Sequence, residues 1–150
     1  MSVTTATPRA AARAGAPSTR RADRRQNAAS AALTAALGDS GCIVVSATVV
    51  PVADATGNAV ATACEVDFYD ARSLWRALDV MTSAARATGE PQLAARAGQR
   101  GEGAWRVTAG PQTWYGEDGD PAQAAARSHT AWRLTVPGDD LVAVAAALLA

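Results

Sequence analysis

A single histidine, two cysteines and one crowded acidic loop are the features of this chain that could carry chemistry. His129 as a general base needs a nucleophile or a carboxylate held beside it. The spacing around it implies neither, so it reads as an exposed or simply packed residue at a strand edge. Cys64 could act as a nucleophile only if its thiolate were stabilised. It falls in phase with Val66 and Phe68 on an apolar face, where burial raises a thiol pKa, and it reads as core. Cys42 stands nearer a strand end, with no cation close to it in sequence.

Glu117, Asp118 and Asp120 crowd one loop, and hard cations want oxygen ligands at such density. The EF-hand spacing and its closing bidentate glutamate are missing, so the loop reads as a solvated acidic turn. Two cysteines twenty-two positions apart and one distant histidine do not make a zinc ligand set. Gly98, Gly101 and Gly103 match a phosphate-binding loop in glycine content alone, because the stretch precedes a strand and does not open a helix. The expectation is therefore no catalytic residue, no metal and no cofactor.

Arg20, Arg21, Arg24 and Arg25 form the densest charge cluster. Such a cluster can engage phosphates and give salt-sensitive, sequence-independent binding. The competing reading is a solvated helix start in an arginine-biased proteome. Trp114 and Tyr115 are the aromatic counterparts: adjacent strand residues point to opposite faces, so one of them must be outside and free to stack on a base. Trp105 and Trp132 share their phase with aliphatic residues and read as core.

The elements that must position these residues come from a chain of 150 residues, enough for one domain with a real core. Much of the apolar content is alanine, so the core should be thin and could be completed by a second copy of the chain. All basic residues are arginine, which points first to a high-GC bacterium, its phage or its plasmid. Net charge is zero but unevenly placed: residues 1–37 hold six Arg and one Asp, and residues 38–150 hold eight Arg and thirteen acids. A basic arm thus precedes an acidic body. The Cys pattern suggests free thiols in a reducing, cytoplasmic setting. No apolar run reaches the length of a membrane span.

Residues 1–19 cannot bury enough surface to offset their ordering entropy and are expected to be disordered. Residues 20–38 suit an Ala/Arg-rich helix, with Ala29, Leu33, Ala36 and Leu37 on one side and Gly38 at its end. Residues 42–50 alternate, with Ile43, Val45, Ala47 and Val49 sharing a face, and Pro51 should end the regular ladder. A turn at Asp54–Asn58 leads to a return strand over 59–68, with Val60, Thr62, Cys64, Val66 and Phe68 inward and Glu65 and Asp67 toward water. Asp70 should cap a helix over 71–88 with the stripe Leu74, Ala77, Leu78, Met81 and Ala85. Residues 90–103 read as a loop with one helical turn near Leu93–Ala97. A second hairpin follows: 104–109, a turn at Gly110–Pro111, the segment around Trp114, and a strand over 130–136. Residues 121–127 suit a helical turn. Asp139 should cap a last helix with Leu141, Val144, Ala145 and Leu148 on its stripe.

The expected fold is α+β: an antiparallel sheet of about four to five strands with two helices on one face, in ββαββα order, built over 39–150. It is preceded by the disordered basic arm (1–19) and the short Ala-rich helix (20–38). The expected function is an accessory or binding protein acting through contacts with a protein partner, with no membrane and with a homodimer as an added option. The alternatives are a nucleic-acid-binding protein using the arginine cluster and a small enzyme with an unrecognised site.

Overall fold

The computed structural model describes residues 17–112 and 129–150. Most of the expected arm, Trp114, Tyr115, Glu117, Asp118, Asp120 and the helical turn expected over 121–127 lie outside the described residues. The described chain runs α1 (Pro17–Asp39), β1 (Val44–Ala53), β2 (Ala59–Phe68), α2 (Ala71–Ala87), α3 (Pro91–Ala97), β3 (Arg106–Gln112), β4 (His129–Pro137) and α4 (Gly138–Leu149). It is an α+β fold with one four-stranded antiparallel sheet in the order β1-β2-β4-β3. The described residues thus add α3 to the expected order.

The sheet buries one face. Cys64, Val66 and Phe68 of β2 and Leu134 and Val136 of β4 are buried with Leu33 and Leu37 of α1, Leu74 and Met81 of α2, and Leu141 and Val144 of α4 in one cluster. Three helices therefore roof this face, where two were expected. α1 is part of that roof, although its stripe is thin: Leu33 and Leu37 are fully buried, and its helix packs on β1 and α4. It starts at Pro17, three residues ahead of the expected start. Each fully buried Leu contributes about 1.5–3 kcal/mol relative to leaving it exposed.

Local chemistry sets the element ends. Asp70 caps α2: its Oδ1 accepts the Ser73 N–H at 2.8 Å. Ser73 Oγ in turn accepts the Ile43 N–H at 2.8 Å, which ties the start of α2 to the start of β1. Gly57 takes φ +90° in the β1–β2 turn. There Asp54 Oδ1 accepts from Thr56 and Asn58 N–H groups. At the other end of the domain, Gly138 is needed for close approach. A Cβ there would collide with Thr62 Oγ1 and crowd Gln26 Nε2. Those two side chains are themselves joined, Thr62 Oγ1 donating to Gln26 Oε1 at 2.7 Å.

Several sequence expectations need correction. β1 carries an irregularity between Val44 and Ser46, so strict alternation fails: Val44 packs on the core while Ile43 and Val45 are exposed. Pro51 does not end β1. It pairs with Thr62 inside the strand, which it can do because β1 is an edge strand. Val60 is 64% exposed because β2 pairs with β4 only from Ala63 onward, and the hairpin tip projects past the four-stranded region. Asp67, expected in water, is buried. Gly110 and Pro111 lie within β3 and do not turn the chain. Asp139 sits in the first turn of α4, and the residue at the cap position is Pro137.

Candidate functional site

Two polar cross-strand rows stand on the sheet face that no helix covers among the described residues. Ser46, Asp67, Arg133 and Thr108 are register neighbours across β1, β2, β4 and β3. Thr48, Glu65, Thr135 and Arg106 form the next row. Two carboxylates and two guanidinium groups make the combined surface neutral, and the remaining members are hydroxyls. Arg133 is the hub. Its Nε donates to Asp67 Oδ1 at 2.7 Å and its Nη2 to Asp67 Oδ2 at 3.1 Å. Its Nη1 lies 3.3 Å from Glu65 Oε1. Ser46 Oγ donates to Asp67 Oδ2 at 3.4 Å. The bidentate bond to Asp67 holds the Arg133 guanidinium even more firmly protonated than usual. These bonds explain why Asp67 can be buried on a face the sequence assigns to water.

A second charged set is structural. Arg96 of α3 donates through Nε and Nη2 to the two oxygens of Asp140 at 2.9 and 2.8 Å, and Trp105 Nε1 donates to Asp140 Oδ2 at 3.0 Å. Asp140 and Trp105 are both buried. One carboxylate therefore joins α3, the entry to β3 and α4. It accepts three donors, which occupy most of its roughly four lone-pair sites.

Cys42 and Cys64 are free and buried. Burial is the main reason both thiols are pushed above their ordinary pKa. A neutral, enclosed thiol is a poor nucleophile. Among the described residues no group of three His, Cys, Asp or Glu stands where it could hold a metal ion. His129 is placed by its backbone at the first residue of β4, opposite Gln112. A shallow groove of about 520 Å³ runs between α2 and α4, lined by Asp79, Val80, Ser83, Ala84, Ala147 and Leu148. It offers one carboxylate and one hydroxyl, both from α2.

Among the arginine cluster, Arg24 and Arg25 are exposed on α1, and positions 20 and 21 fall one turn earlier in the same helix. Helical spacing puts all four positions on one side. What the sequence did not reveal is the apolar corner where β1 begins and β2 ends. Ile43, Val45 and Tyr69 are each more than half exposed there, and the Tyr69 N–H donates to the Ile43 carbonyl at 3.0 Å. Trp75 is half exposed on α2. The only local signal was that Ile43 and Val45 would need an unbroken ladder to reach the core.

No protein-family model, curated protein or solved structure matches this chain at a significant level. Among the described residues no helix is long and apolar enough to cross a membrane.

Proposed function

We propose that this chain is a non-enzymatic accessory protein that acts through contacts with a protein partner, in the cytoplasm of a high-GC bacterium or as part of its phage or plasmid. The observation that carries this reading is the corner formed by Ile43, Val45 and Tyr69. It borders a neutral sheet face that no helix of the described chain covers. A cluster of large apolar side chains rimmed by polar ones is the usual mark of a protein contact site. The buried charges Asp67 and Asp140 are meanwhile occupied in bonds that hold the fold. The free, buried thiols fit a reducing compartment.

The test is comparative capture. The full chain and its Ile43→Ser/Tyr69→Ser variant are immobilised at equal loading and challenged with lysate of the source cell. Exposed substitutions of this kind shift stability by about 0.5 kcal/mol or less, so the variant should remain folded. The reading expects proteins retained by the native chain and released by the variant. Identical retention by both, or none by either, refutes it.

The exposed Arg24 and Arg25, with positions 20 and 21 on the same side of α1, favour nucleic-acid binding as a second reading. Its affinity should fall steeply with salt, by a slope of about 0.9 per phosphate neutralised. Replacing the four arginines by glutamine should flatten that slope in a gel-shift titration. No shift at low salt rejects it.

A further inference from the structure

β1 is the outermost strand on its side of the sheet, so one side of its backbone has no strand partner among the described residues. Which groups face that side follows from the register. The Tyr69 N–H reaches the Ile43 carbonyl, so odd-numbered residues of β2 from 61 to 69 direct their backbone groups at β1. Their partners Ser46, Thr48, Val50 and Val52 point back at β2. Ala47, Val49 and Pro51 therefore point outward. Two observations agree. The Ala47 carbonyl accepts the Ser30 hydroxyl at 3.4 Å, a bond open to a carbonyl that serves no neighbouring strand. Pro51, which has no N–H, sits where none is needed.

Exposed edges are commonly blunted by charge, and this one has none. From Gln26 to Ala53 the sequence holds a single ionisable acid or base outside its one thiol, Asp39. That stretch comprises most of α1 and all of β1, two elements packed on each other. One flank of the molecule is thus nearly uncharged in a chain with 28 charged residues. The opposite edge, β3, differs: it begins at the charged Arg106 and is seven residues long against ten for β1. A two-fold contact brings the residues at its axis close to their own copies, so a charge at that point would repel itself. A neutral edge meets no such penalty. Its outward N–H groups, and the second lone pair of the Ala47 carbonyl beside the Ser30 bond, can pair with an extended partner.

We propose that this chain forms a two-fold dimer in which β1 pairs antiparallel with β1 of a second copy, the axis passing at Thr48. The axis position follows from hydrogen bonding. Centred on Thr48, Ala47 of each copy faces Val49 of the other, and both N–H and both C=O groups of each pair are used. Centred on Val49, Ala47 would face Pro51 and lose a donor. Centred on Ala47, the irregular Val45 would have to face Val49. With the axis at Thr48 the sheet becomes eight-stranded. The two Thr48 side chains meet as a close, non-hydrogen-bonded pair on the helix-free face, and Ser46 of one copy faces Val50 of the other. The capture test alters Ile43 and Tyr69 and leaves Ala47–Val49 in place, so either contact can fail without the other.

Sedimentation equilibrium of the full chain from micromolar to sub-millimolar concentration should show a monomer–dimer equilibrium. Mild oxidation of a Thr48→Cys variant should give a disulfide-linked dimer, because cross-strand Cβ atoms at such a pair are close to disulfide distance. Ser46→Cys or Val50→Cys alone should give little, and an equal mixture of those two should cross-link. Cys42 and Cys64 are buried and do not compete. Thr48→Lys should weaken the dimer at least tenfold while Glu65 across β2 supports the monomer. A monomer at every concentration overturns the proposal. So does a dimer in which the three cysteine variants cross-link equally or Thr48→Cys does not cross-link.

Discussion

Three donors from two other segments converge on the buried Asp140 carboxylate. Asp140→Ala would leave the buried Trp105 N–H without an acceptor, while Arg96, partly exposed, could turn to water. The loss should be about 2–3 kcal/mol in urea unfolding. Asp140→Asn keeps an acceptor for Trp105 and should lose less. Equal losses would show that the Trp105 bond contributes nothing. Asp70 makes a pH-dependent contribution. The hydroxyl and backbone N–H of Ser73 hold its carboxyl below the ordinary range. A carboxyl lowered on folding adds stability above its unfolded pKa, about 4, and loses it as pH falls through the folded value. The melting-temperature gap between the native chain and Asp70→Asn should therefore shrink between pH 7 and pH 3. A gap unchanged with pH would contradict this origin.

Among the elements, α2 was the most legible; α1 was legible as a helix but not as part of the roof. The α2 stripe and its Asp70 cap are local signals within one helix, and both stand where the spacing puts them. α1 offers Leu33 and Leu37 among alanines, a stripe too thin to show that it roofs a sheet. Its role depends on β1 and α4, elements distant in sequence. The irregularity at Val44–Ser46 was hidden for a related reason. Alternation in a run of valines reads the same in either phase until a partner strand fixes the register. Asp67 was assigned to water because its partner Arg133 is 66 residues away. The corner at Ile43, Val45 and Tyr69 follows from that same irregularity, so it could not be read from the pattern. If α1 belongs to the core, Leu37→Ala should destabilise the whole domain by about 2–5 kcal/mol. A loss under about 0.5 kcal/mol in chemical denaturation would make α1 an appendage.

At the scale of the molecule, all described helices that touch the sheet share one core; among the described residues no helix packs on the other sheet face and no strand pairs with the outer side of β1. Such one-sided roofing leaves the surface through which the proposed contacts would run. Amide hydrogen exchange on the dilute full chain tests it most directly. The account predicts that residues 29–37 of α1 exchange as slowly as the buried stretches of α2, α4, β2 and β4, and that the Ala47 and Val49 amides exchange far faster than those of Thr48 and Val50. Free-peptide exchange rates throughout α1 beside a protected sheet, or equal protection of all four β1 amides in the monomer, would contradict it.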